Sequence, residues 1–151
     1  MAFVRFLHSL KRRPTFALSL HSYGRSVLHP FSCKSLAPTL NASSLLSFQR
    51  ATKRILHSIS EDYTTGQAWK VPGLYTVSGD AVDFLWHNEG IPAINVELPP
   101  SYPQRSDYDG FWPDFWYEEE CVQLVLNGLE LARCELAGTV AGIQVGWREK
   151  R

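Results

Sequence analysis

The first sixty residues contain no aspartate or glutamate. All fifteen acids lie at Glu61 or later, whereas nine of the fifteen lysines and arginines precede it. The formal net charge of zero therefore conceals a basic, Ser- and Leu-rich N-terminal part, a composition shared with organellar transit peptides. It also removes any chain-wide electrostatic case for binding nucleic acid or an anionic membrane. Cysteine is scarce: Cys33, Cys121 and Cys134 form no C-x-x-C spacing, and an odd count leaves at least one free thiol. No apolar run approaches the length that spans a bilayer.

What is present suits a folded domain. The chain has 151 residues, 44% of them hydrophobic and 20% charged, enough for one domain with a core. "MAFVRFLHSLKRR" predicts an amphipathic helix to about Lys11, with Phe3, Phe6, Leu7 and Leu10 on one face and Pro14 beyond it. "TFALSLHS" alternates as a strand does, and "HPFSCKSLAP" is a loop. A second helix follows Asn41, a suitable N-cap, with Leu45, Phe48, Thr52, Ile55 and Ile59 at helical spacing. "GLYTVSGD" is a Gly-bounded loop, and "AVDFLWHN" a short helix stopped at Gly90, with Asp83 in the position of a cap. "PAINVEL" is a strand ended by Pro99 and Pro100. An aromatic loop, "SYPQRSDYDGFWPDFW", leads to a last helix over 118–133, whose opening glutamates suit the helix dipole. The class is mixed α/β, and the residues after Glu135 carry no pattern.

Several polar residues stand out against this frame. Glu97 sits near the end of an apolar strand, where it either points to solvent at an edge or acts as a general base tuned by burial or a metal. His21 closes a strand, as a satisfied histidine or as a ligand. Tyr75 lies in a loop that leaves a phenol free to swing onto a ligand or simply to rest on the surface.

Together, "LSLHSYG", "LYTVSGDAVDFLW" and "GIPAINVELPP", in this order and with Tyr75 and Glu97 twenty-two residues apart, resemble the C-terminal half of the zinc metallocarboxypeptidase domain. That family includes the pancreatic carboxypeptidases A and B. The resemblance runs from about Phe3 to Ala132 and implies one domain portion over 1–134, with a tail of unclear structure over 135–151. It implies the C-terminal half of a mixed central sheet flanked by helices. It implies that His21 is the third zinc ligand, and that Glu97 is the general base acting on a Zn²⁺-bound water. It also implies that Tyr75 closes over the C-terminal residue of a peptide substrate, and that Ser22 and Tyr23 line outer subsites. Val82 matches the pocket-floor position, where an aliphatic residue implies an apolar or aromatic C-terminal side chain. Asp80 lies near the same pocket, and some relatives with an acid there accept basic residues as well. Asp83 becomes a scaffold residue beside the pocket.

The sequence also departs from the family. It has no H-x-x-E, which supplies the other two zinc ligands, and no Asn-Arg pair to grip a terminal carboxylate. The expectation is therefore an incomplete piece of a peptidase, inactive alone, whose open sheet edge promotes self-association. The alternatives are a non-catalytic relative that binds a peptide or partner, and an imported protein cleaved near Ser60.

Overall fold

The computed structural model describes residues 2–59 and 62–98, together with Gln123 and Asn127. In chain order the elements are α1 (Ala2–Ser9), β1 (Ala17–Ser22), β2 (Ser26–Leu28), α2 (Ala42–Ile59), β3 (Thr64–Gly66), α3 (Ala81–His87) and β4 (Ala93–Leu98). Short 3-10 turns occupy Ala37–Thr39 and Ala68–Lys70. The strands form a mixed sheet in the order β1-β4-β2-β3. β1 runs parallel to β4, β2 antiparallel to β4, and β3 parallel to β2.

α2 forms because Ser44, Phe48, Ala51, Thr52 and Ile55 make one buried stripe at helical spacing. Its start is fixed by Asn41, whose Oδ1 accepts the Ser44 amide and the Ser43 hydroxyl, both at 2.8 Å. The stripe packs on one sheet face with Val27, Ile94, Val96 and Leu98. Phe48 is fully buried there, stacked on His29 at 5.8 Å and met edge-on by Trp86 of α3 at 5.1 Å. His29 is itself 2% exposed. Its Nδ1–H donates to the Pro30 carbonyl at 2.7 Å, and burial holds its pKa below the ordinary value.

α3 packs under the other face, where Val82, Leu85, Ile91 and Ala93 cluster with Leu7 of α1 and Ala17 of β1. Gly90 ends α3 at φ +61°, a left-handed conformation that costs glycine nothing. The Gly90 amide donates to the Trp86 carbonyl, the single bond of an αL closure, and the Ile91 amide reaches back to the Leu85 carbonyl. Ile91 and Leu85 also share an apolar cluster.

The expected helices after Asn41 and before Gly90 are present, as Ala42–Ile59 and Ala81–His87, and the strands expected in "TFALSLHS" and "PAINVEL" occupy Ala17–Ser22 and Ala93–Leu98. α1 stops at Ser9, short of Lys11, and buries no residue fully. Asp80, not Asp83, caps α3, its side chain accepting the Val82 amide at 3.0 Å. The three-residue strands β2 and β3 are additions to the sequence reading. The aromatic loop, the tail over 135–151 and nearly all of the final helix lie outside the described residues. Gln123 and Asn127 are helical, their side chains joined by a 3.0 Å hydrogen bond. No described helix is long and apolar enough to cross a membrane.

The packing predicts two unequal losses. Phe48→Ala should destabilise the fold by about 3–5 kcal/mol through loss of transfer energy plus a cavity. Asn41→Ala should cost about 1 kcal/mol through loss of the cap. Chemical denaturation of both variants against the parent chain checks the ratio.

Candidate active-site cleft

The β1–β4 register decides which side chains share a face. Ser19 pairs with Asn95 and His21 with Glu97, so four polar side chains stand together on the face opposite α2. They line a cleft of about 390 Å³, whose remaining walls include Leu28, Ser32, Ala68, Leu74, Tyr75, Val77 and Asp80. The loop carrying Tyr75 is tied down from both sides. The Val77 amide donates to the Ser32 carbonyl at 3.1 Å, and the Lys34 amide to Thr76 Oγ1 at 3.0 Å. Glycines at φ +84° (Gly73) and +81° (Gly79) give its turns. Tyr75 stands 74% exposed between them, free to change rotamer.

A polar web supports the cleft. Asp83 is 4% exposed and accepts the Ser32 and Cys33 amides, one on each oxygen, at 2.8 Å. Asp80 Oδ2 accepts the Ser32 hydroxyl at 2.6 Å and Asn95 Nδ2 at 2.9 Å. Two carboxylates thus hold the 32–33 loop, the start of α3 and the middle of β4 in fixed relation. Burial pushes the Asp83 carboxyl above its ordinary pKa, more than its two amide donors pull it down, and the nearby Asp80 adds to the rise.

Glu97 is half-buried, and burial raises its pKa; His21 draws it down and Asp80 pushes it up. A carboxylate with raised affinity for protons, beside an imidazole, has the character of a general base. Room for it depends on Gly24, where an added Cβ would lie 3.1 Å from the Glu97 Cβ. His21 is exposed, with Nε2 hydrogen-bonded to Ser19 Oγ at 2.9 Å. This fixes the ring and leaves Nδ1 for another partner. No group of three or more His, Cys, Asp or Glu positioned for a metal occurs among the described residues.

A family model for zinc carboxypeptidases matches residues 1–118. The chain belongs to the zinc carboxypeptidase family. Carboxypeptidase A from Helicoverpa armigera shares the fold, with a TM-score of 0.65 and 21% identity, over 90% of this chain and 33% of that one. The chain thus spans about a third of that carboxypeptidase's length.

Within this carboxypeptidase frame the sequence candidates divide. His21, Glu97, Tyr75 and Asp80 come together around the cleft. Ser22 is the last residue of β1, and Tyr23 follows it, 51% exposed and outside the cleft lining. Val82 is 1% exposed and packs with Leu85, Ile91 and Ala93, so its apolar surface serves the core rather than the lining. Asn95 and Ser32 were not singled out from sequence, although a buried Asn two residues before Glu97 on an apolar strand is a readable signal. Cys33 is a free thiol.

Asp83→Ala should destabilise the chain by about 2–4 kcal/mol, since two amides lose their acceptor. The pH dependence has a definite sign. A carboxyl whose folded pKa is raised gives stability that is full below its unfolded pKa and is lost as pH rises through the folded value. The stability advantage of the parent over Asp83→Asn should therefore be largest near about pH 4 and shrink as pH rises. Urea denaturation at stepped pH reads this difference.

Proposed function

We propose that this chain carries the substrate-side part of a zinc carboxypeptidase site, built to act on the C-termini of peptides. The observation that supports it is the register pair His21–Glu97, which seats an imidazole beside a proton-hungry carboxylate in the cleft that Tyr75 borders. Glu97 takes a proton from water and returns it to a leaving amine, work for which a raised carboxylate pKa is suited. Tyr75 swings over the bound residue and shields it from solvent.

Zn²⁺ in this family serves as a Lewis acid, and the described residues fit it only in part. His21 offers one nitrogen, oriented by Ser19 as metal-bound histidines commonly are. One imidazole does not hold a catalytic zinc, which takes three protein ligands. The sequence has no H-x-x-E to supply the others. The chain by itself is accordingly inactive as a peptidase, and its β1 edge, unpaired among the described residues and near the exposed Leu20, joins a second copy.

Titrating the full chain with Zn²⁺ while following the His21 ring by NMR tests the site. Weak binding that shifts the His21 signals and disappears in His21→Ala is expected. Zinc that leaves His21 unmoved would sink the reading, and tight stoichiometric binding would sink the claim of incompleteness. Sedimentation at increasing concentration should show dimers; a monomer throughout refutes pairing at the edge.

A further inference from the structure

We infer that the Lys34–Trp69–Lys70 cluster is a docking point for an acidic peptide segment, whose carboxylates pair with the two ammonium groups while its methylenes lie on the indole. The cluster stands outside the cleft lining and does not depend on the carboxypeptidase reading. Lys34 Nζ lies 5.6 Å from the centre of the Trp69 ring, and Lys70 Nζ 4.7 Å from it. The two lysines reach this one ring from separate places, Lys34 from the loop that follows β2 and Lys70 from the 3-10 turn Ala68–Lys70. Both are exposed, and neither makes an ion pair among the described residues. Two like charges are thus gathered around one indole without a counter-ion, an arrangement that an arriving anion relieves.

The frame under the charges is fixed. Trp69 is half-buried, and its Nε1–H donates to the Phe31 carbonyl at 3.2 Å. The Lys34 amide donates to Thr76 Oγ1 at 3.0 Å, and the Lys70 amide to the Gln67 carbonyl at 2.8 Å. Binding then has only the two lysine side chains left to order. The carboxylates bonded to the adjoining loop are engaged elsewhere: Asp83 by the Ser32 and Cys33 amides, Asp80 by the Ser32 hydroxyl and the Asn95 amide. Lys70 also adds to the burial that keeps the His29 imidazole from taking a proton, so its field is felt inside the fold as well.

The chemistry of the cluster selects among anions. A free phosphate presents nothing apolar to the indole, and a nucleic acid calls for a wider array of cations than two. A glutamate side chain offers both parts, methylenes for a ring and a carboxylate for an ammonium. Cations on separate elements also suit acids spaced along a chain better than they suit one compact ion. Ala68, next to Trp69 in sequence, lines the cleft, so a polypeptide docked on the indole adjoins it.

The test titrates the full chain with acetyl-Glu-Gly-Glu-Gly-Glu-amide, with its Gln counterpart and with inorganic phosphate, the amide leaving no terminal carboxylate to compete. The readouts are the Trp69 indole and Lys34 amide signals in ¹⁵N–¹H spectra. The Glu peptide should shift both, more weakly as salt is added, and the Gln peptide neither. Lys34→Gln and Lys70→Gln should each weaken binding about threefold, and the pair about tenfold, as expected of exposed ion pairs. Both side chains are exposed, so these variants keep the fold. Equal binding of the Gln peptide, shifts confined to other residues, or an unchanged affinity in the double variant would overturn the inference. Phosphate matching the Glu peptide at these signals would overturn the peptide as occupant. The zinc titration is read at His21, so failure here leaves the carboxypeptidase reading standing.

Discussion

The parallel pairing of β1 with β4 is the interaction on which the cleft depends. It sets Ser19 against Asn95 and His21 against Glu97, and alternation then places all four on one face. A slip of one residue would send His21 to the α2 side and bring Leu20 into the cleft. Burial opposes that slip on both faces. Ile94 and Val96, fully buried with Phe48 and Ile55, hold β4 from the α2 side. On the other face Ala93 is wholly buried in the α3 cluster with Ala17, its register partner, and only small side chains there let a helix approach closely. The site is thus positioned by apolar packing that takes no part in its chemistry.

The second constraint is polar. Asp80 caps α3, receives the Ser32 hydroxyl and receives the Asn95 amide. Asp83, three residues on, takes two amides of the facing loop. Such a web is costly when half-made and rigid when complete, because every member loses water on folding. It leaves Tyr75 outside: its neighbours Thr76 and Val77 are bonded to the 32–34 loop while its own ring stays in solvent.

Long, regular patterns were legible in the sequence. The eighteen-residue α2 shows its Asn41 cap and helical stripe without ambiguity, and "AINVEL" between Gly90 and two prolines can scarcely be anything but a strand. The family resemblance identified His21, Tyr75 and Glu97 as related, and the sheet register gathers His21 and Glu97 from positions seventy-six residues apart. β2 and β3 escaped because three residues give no period to read, and their pairing is created by tertiary context. Asp83 reads as a cap from sequence because it lies in the first turn of α3; its true partners, the Ser32 and Cys33 amides, are fifty residues away. Val82 shows a different contrast. The family resemblance matches it to a pocket floor, while the packing sets its side chain among Leu85, Ile91 and Ala93.

The charge asymmetry of the chain acquires a structural meaning from these contacts. Acids needed by the cleft, Asp80, Asp83 and Glu97, come from the part of the chain that follows Glu61. Several of their partners come from the acid-free part: the Ser32 hydroxyl and amide, the Cys33 amide and the His21 ring. These partners are neutral donors or a weak base, although nine lysines and arginines lie in the same stretch. Had an arginine met Asp80 instead, its charge would have been neutralised within the fold. Hydrogen-bonding the carboxylates with uncharged groups fixes their positions while preserving their field. The basic segment therefore contributes strands, helix and donors to the site, and it keeps its own cations off the cleft wall.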